Sequence, residues 1–234
     1  MAAVVYLIPT VLYEGEMAPL PAYIIPAVKE CTVFFVENER TARRYLKTLW
    51  KEMVIDDKEW HSINKVTEET INNFKKCIAE EKTIGIISEA GCPGVADPGQ
   101  QLIAVAQQLN VIVRPLVGPN SILLALMASG MNGQHFQFTG YLPIDIGERS
   151  KAVKNLEIES KQKGCTQIFI ETPYRNNQLI ETVLKTCQPA TQFCIAVNLT
   201  GSNEWIKTAS IKDWKGKTPD IHKQPAIFLL MANN

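Results

Sequence analysis

Although the 234-residue chain carries six cysteines (Cys31, Cys77, Cys92, Cys165, Cys187 and Cys194), none form a Cys-x-x-Cys pair. Its three histidines, His61, His135 and His222, are isolated, and His-Glu-x-x-His is absent. Those absences remove the familiar zinc motifs and leave a histidine-centred nucleophile nothing to build on. No metal is expected, and the cysteines read as reduced, buried small hydrophobes. Net charge is also missing, with 24 basic side chains against 24 acidic ones. No global positive field draws the chain to nucleic acid or to a membrane, which leaves local basic patches. No apolar run approaches the roughly 20 residues of a membrane helix, and no basic segment followed by a signal-type core opens the sequence. The expectation is a cytoplasmic protein with no membrane partner. Neither Gly-x-Gly-x-x-Gly nor Gly-x-x-x-x-Gly-Lys-Ser/Thr occurs, so a standard dinucleotide or Walker site is not expected.

Hydrophobic residues make up 46% of the chain, ample material for one large or two small domains. The organising stretch is 84–121. Ile84-Gly85-Ile86-Ile87 reads as a strand buried on both faces, because its hydrophobicity is continuous. It runs into the small-residue loop Ser88–Gly99, which closes on Asp97-Pro98, with Asp97 as helix cap and a helix over Gln100–Leu109. A second unit repeats the plan, with a strand at 111–113, the loop Pro115–Ser121 and a helix over 121–129. Two glycine and proline loops therefore leave neighbouring strands at their carboxyl ends, where open parallel sheets hold ligands.

Residues 2–8 read as the first strand, followed by a long loop, a helix over 22–29 kinked at Pro26, and a buried strand over 32–36. Glu37-Asn38-Glu39-Arg40 opens a basic helix with Arg40, Arg43, Arg44, Lys47 and Lys51, either a solvated face or a phosphate-contacting surface. Thr67 caps a helix to Glu81. Strand and helix alternate through this half, which predicts a mainly parallel sheet. The second half predicts an alternating strand over 136–143 that runs into a loop, strands at 167–170, 192–199, 204–208 and 226–231, and a polar helix over 147–163 with a basic side at Arg149, Lys151, Lys154, Lys161 and Lys163. Several strands follow one another without helices, so this sheet is expected to be mixed. The boundary is placed near Val117, giving an α/β domain over 1–116 and another over 117–234.

Gly91, Gly94 and Gly99 either supply turn geometry or let a ligand approach the main chain. Glu89, at the end of its strand, faces either a ligand or the neighbouring loop. Glu171-Thr172-Pro173-Tyr174-Arg175 again sets a carboxylate, a hydroxyl and a guanidinium at a strand's carboxyl end. Arg175 either binds an anion bidentately or pairs with Glu171.

Ser88–Gly99, Pro115–Ser121, Gly140-Tyr141-Leu142-Pro143 and Glu171–Arg175 occur in the order found in the tetrapyrrole (corrin/porphyrin) methylase superfamily. The sequence most resembles its ribosomal branch, the small-subunit 16S rRNA 2'-O-ribose methyltransferases of the RsmI type. That branch reads Ser-Asp-Ala-Gly-Thr-Pro-x-x-Ser-Asp-Pro-Gly, Pro-Leu-Pro-Gly-Pro-Ser, Gly-Phe-Leu-Pro and Glu-Ser-Pro-His-Arg at these places. The resemblance implies the two-domain tetrapyrrole methylase fold, S-adenosyl-L-methionine (SAM) in a cleft between the domains, and a homodimer. It assigns Glu89, Ala90, Gly91, Pro93 and Val95 to the first SAM loop, Gly118 and Ser121 to the second, and Tyr141 and Leu142 to the adenosine pocket. Thr172, Pro173, Val197, Asn198, Leu199, Pro225 and Ala226 are the second domain's share. A sulfonium nucleoside suits a narrow slot with main-chain contacts better than a phosphate cradle.

The substrate side departs from the pattern. Ile8-Pro9-Thr10-Val11-Leu12-Tyr13 replaces a segment with a Gly-Asn pair, and Val36-Glu37-Asn38-Glu39-Arg40 keeps only Glu37 and Arg40 of Ala-Glu-Asp-Thr-Arg. Ala196–Gly201 lacks the arginine, glutamate and lysine of Ala-Arg-Glu-Leu-Thr-Lys. Pro9, Thr10, Arg40 and Arg175 are the candidate substrate contacts, and Glu37 and Glu171 the candidate general bases. The resemblance implies methyl transfer to an rRNA ribose in the small ribosomal subunit. A tetrapyrrole or other small metabolite as acceptor, and a non-catalytic SAM-binding paralogue, are the alternatives.

Overall fold

The computed structural model describes residues 3–232, and separates them into two compact units that meet in sequence between Asn120 and Ser121. Ala2, assigned above to the first strand, lies outside the described residues. No helix among the described residues is long and apolar enough to cross a membrane.

The first unit is built on a parallel sheet of β1 (Val4–Ile8), β2 (Val33–Val36), β3 (Glu59–Ser62), β4 (Thr83–Ile87) and β5 (Ile112–Pro115), in the order β3-β2-β4-β1-β5. Strand side chains alternate between faces, and both faces here are apolar. Tyr6, Ile8, Phe34, Val36 and Ile87 pack with Ile24, Val28, Ala42 and Leu46 of α1 (Ile24–Glu30) and α2 (Glu39–Leu49). Val5, Val33, Phe35, Ile84 and Ile86 pack with Phe74, Cys77, Leu102 and Ala106 of α3 (Glu68–Ala79) and α4 (Gln100–Gln108). The chain leaving β1 therefore crosses one face and the chain leaving β4 crosses the other. β1 and β4 are neighbours, so the sheet's topological switch lies between them, where the ends of open α/β sheets hold ligands.

Several local expectations need correction. Pro26 does not kink α1, because it stands in the first turn, where helical N–H groups have no intrahelical partner to lose. Asp97 is not the cap of α4. Gly99 holds that position without a side-chain bond, and Asp97 instead braces the loop, accepting Gly94 N–H at 2.7 Å and Gly99 N–H at 2.7 Å. β3 was not expected at all. It is a four-residue edge strand in which Trp60 is the one apolar side chain, so it carries no hydrophobic run. Asn38 caps α2 by accepting from the N–H groups of Arg40 and Thr41. Thr67 caps α3 as expected, with Thr70 completing the capping box.

The second unit holds α5 (Ser121–Ser129), α6 (Ile146–Lys163) and α7 (Asn176–Thr186), with a sheet of β6 (Phe136–Tyr141), β7 (Thr166–Ile170), β8 (Gln192–Val197), β9 (Trp205–Ser210) and β10 (Ala226–Met231). Its order is β6-β7-β10-β8-β9, with β6 and β7 parallel and every other pairing antiparallel, the mixed sheet expected. Phe193 stacks on Phe228 at 6.0 Å, and Trp214, in the short helix α8 (Ile211–Trp214), donates Nε1–H to Phe193 O at 2.8 Å. β8 stops at Val197, two residues short of expectation, because Asn198 turns into the left-handed region at φ +50°. Arg149 does not belong to a basic surface on α6. It is 1% exposed, donating Nε–H to Thr182 Oγ1 at 3.2 Å and Nη1–H to Ile144 O at 3.3 Å.

Candidate functional site

In the first unit, four segments converge at the carboxyl ends of β1, β2, β4 and β5. Thr10 N–H donates to Gly91 O at 2.8 Å and Thr10 Oγ1 to Ser88 O at 3.4 Å, joining the loop after β1 to the loop after β4. The Cys92 thiol reaches Gly118 O and Pro119 O at 3.6 Å each, joining the loop after β4 to the loop after β5. Tyr45 of α2 donates its hydroxyl to Pro9 O at 2.6 Å. Two glycines are required by this knot. Gly91 sits at φ +74°, which a side chain rarely adopts, and a Cβ on Gly118 would fall 2.2 Å from Pro9 Cβ.

Three carboxylates border the knot. Glu37 Oε2 accepts Glu89 N–H at 2.9 Å, and Glu89 Oε1 accepts the Thr41 hydroxyl at 2.8 Å. Burial is the main cause that raises the Glu37 pKa above its ordinary value; the Glu89 N–H opposes this, while the charges of Asp97 and Glu89 add to it. Burial likewise raises Asp97, against the N–H groups of Gly99, Gly94 and Val95. Loops 88–99 and 115–121 contain neither lysine nor arginine. Such a site offers main-chain groups and negative charge, which suits a ligand carrying a cation and disfavours a phosphate. Glu89, Ala90 and Val95 are exposed at the loop surface, whereas Pro93 and Gly91 are buried beneath it.

The second unit gathers the other candidates on one edge of its sheet. β6, β7 and β8 all end there and β10 begins there, because β10 runs antiparallel to β7 and β8. The edge thus carries Tyr141 and Leu142, Glu171 to Arg175, Val197 to Leu199, and Pro225 with Ala226. Asn198 N–H donates to Pro225 O at 2.9 Å and its side-chain amide to Gln224 Oε1 at 2.8 Å. Glu171 is fully buried at its side chain. Its Oε1 accepts Thr172 N–H at 2.6 Å, Arg175 Nη2–H at 2.6 Å and Arg175 Nε–H at 3.0 Å. Arg175 therefore pairs inside its own unit. Glu171 Oε2 is buried without a partner among the described residues, an acceptor that calls for a donor. Tyr141 stands exposed and Leu142 buried at the end of β6, and Ser121 opens α5.

The basic helices are largely compensated. Arg43 pairs with Glu39 at 2.9 Å and Arg44 with Glu14 at 2.9 Å, while Lys47 donates to Met53 O at 2.7 Å. On α6, Lys154 pairs with Glu157 and Lys163 with Glu159. Arg40, at the start of α2, and Lys51, just beyond it, are exposed. Sequence reasoning missed Thr41 and Tyr45, which hold the knot from α2. Their only signal is position, one and two turns into a helix that follows β2.

No family model matches the chain. It is 29% identical to Ribosomal RNA small subunit methyltransferase I of Halalkalibacterium halodurans over 76% of this chain and 58% of that protein. The Ribosomal RNA small subunit methyltransferase I of Buchnera aphidicola is 26% identical over 97% of this chain and 77% of that protein. The chain spans 58%, 51% and 43% of three of the relatives it matches, less than two thirds of their length. The crystal structure of the methyltransferase CobJ superposes with a TM-score of 0.64 at 17% identity, covering 99% of this chain and 94% of that one. At that identity the likeness concerns the fold alone. The chain thus shares its fold with the methyltransferase CobJ, and its sequence relatives include the ribosomal RNA small subunit methyltransferases I.

Proposed function

We propose that this chain is a SAM-dependent methyltransferase acting on a ribose 2'-hydroxyl of small-subunit rRNA, working in the cytoplasm as a homodimer. The observation that carries the reading is the knot of loops after β1, β4 and β5, braced by Glu37 and bare of basic side chains. Glu89, Ala90, Gly91, Pro93, Val95 and Gly118 hold the cofactor through main-chain groups. SAM supplies an electrophilic methyl on a sulfonium. Transfer to a hydroxyl is an in-line displacement, so the protein's part is alignment and removal of one proton. Glu37 is the base of this proposal, since burial gives it greater proton affinity than an ordinary carboxylate. Glu171, whose Oε1 is taken by Arg175 and Thr172, serves to position that edge. Thr10 and Pro9 brace the cofactor loops, and Arg40 faces the substrate.

The names of the sequence relatives support the rRNA acceptor. The internal pairing of the basic helices favours a second reading, a tetrapyrrole or other small acceptor on the same fold. Transfer of label from SAM to ribosomal subunits taken from a strain lacking this protein separates them. Label in small-subunit rRNA is the expected result; unlabelled subunits, with SAM still bound by the protein, would move the assignment to the second reading.

A further inference from the structure

Away from the loops, the unforeseen edge strand β3 brings together a carboxylate, an imidazole and a thiol. Glu59 and His61 are two residues apart and so project from the same face of the strand, toward α3, which carries Cys77. Glu59 Oε1 lies 2.7 Å from His61 Nε2 and 3.9 Å from Cys77 Sγ, and the ligand atoms of the three residues all fall within 4.8 Å of one another. We propose that Glu59, His61 and Cys77 form a binding site for a divalent, borderline-soft cation of the zinc class.

The donor set is one oxygen, one nitrogen and one sulfur, the mixture that zinc accepts in a tetrahedron with bond lengths of about 2.0–2.3 Å. Small outward shifts of Glu59 and His61 open the space that the hydrogen bond now closes. The surroundings already orient these ligands. His61 stacks on Phe35 with ring centroids 4.6 Å apart and planes 16° apart, which fixes the direction of Nε2. Lys82 Nζ holds Glu59 Oε2 at 2.6 Å, so Oε1 alone faces the cluster and binds as a single-oxygen ligand. Cys77 is buried while Glu59 and His61 are partly open to solvent, giving the ion a way in and leaving the fourth position to water. On binding, the Cys77 thiol releases its proton to solvent, and the His61 proton moves to Nδ1. The ion would fasten an edge strand that, among the described residues, pairs with β2 alone. Neither half of the site resembles a metal motif in the sequence, because the strand's two-residue period and the helix packing create it.

Cobalt(II) added to the purified, metal-free chain provides the test. The expected result is one equivalent bound with the visible absorption of a four-coordinate ion and a near-ultraviolet thiolate-to-cobalt band. His61→Gln, changed at a partly exposed position, should retain the fold and weaken binding by at least about tenfold. At one zinc concentration, the melting temperature of the unaltered chain should rise more than that of His61→Gln. Absence of the thiolate band at one equivalent, or equal affinity in His61→Gln, would overturn the site. Cys77→Ser serves as a second variant, and an undiminished thiolate band in it would place the ion elsewhere and equally overturn the proposal.

Discussion

Glu37 and Glu89 are joined by a hydrogen bond from the Glu89 main-chain N–H to Glu37 Oε2, 2.9 Å long, that ties the ends of β2 and β4 together. The same carboxylate is the candidate base, so its charge and its bracing role can be separated. Glu37→Gln keeps an acceptor for the Glu89 N–H and removes the base. Methyl transfer should fall by about 10²-fold while SAM affinity changes little. A kcat that survives intact would assign the proton to another group.

The pH dependence follows from the same side chain. Its folded-state pKa is raised, mainly by burial, so its contribution to stability is fully present below the unfolded carboxylate value and is lost as pH rises through the folded value. Relative to the unaltered chain, Glu37→Gln should therefore show a higher melting temperature near neutrality, and that gain should vanish in acid. Catalysis runs the other way, since the base works only when deprotonated. The unaltered enzyme should lose rate on acidification through this raised value, and Glu37→Gln should lose that limb of the profile.

Gly118→Ala tests the knot itself. A Cβ there would lie 2.2 Å from Pro9 Cβ and 2.5 Å from Pro9 Cγ, closer than packed atoms ever come, so one loop must shift. Overpacking of this kind costs about 1–3 kcal/mol. Chemical denaturation should show that loss, whereas unchanged stability would mean that the loops yield freely.

Arg175→Ala would leave the fully buried Glu171 carboxylate without its cationic partner, with the Thr172 N–H still on Oε1. A loss of about 2–3 kcal/mol is expected, below the range for a wholly buried pair because Arg175 is partly exposed. Adding Glu171→Gln to Arg175→Ala should recover part of it in urea denaturation. No recovery would mean that Arg175 contributes by contacts other than its charge.

Much of the first unit was legible because alternation of buried strands and capped helices writes a parallel sheet directly into sequence. Ile84 to Ile87 is apolar on both faces, and the structure covers both faces with helices. β3 was illegible for the opposite reason, being an edge strand of Glu59-Trp60-His61-Ser62 with one apolar residue in four. Composition could not reveal that Arg149 points inward, since a charged residue in a polar helix reads as solvated until Thr182 and Ile144 are seen around it. Nor could it pair Glu37 with Glu89, 52 residues apart, or Thr10 with Gly91. The loops were recognisable, but the bonds that knit them depend on the strand order.

Calorimetric titration of the purified chain with SAM addresses the loop knot as a cofactor site. One site per chain with a dissociation constant of about 1–100 μM, roughly −8 to −5.5 kcal/mol, is the expected result, with binding at least tenfold weaker in Gly118→Ala. A folded chain that gives no heat with SAM, and none with its demethylated product S-adenosylhomocysteine, would contradict it.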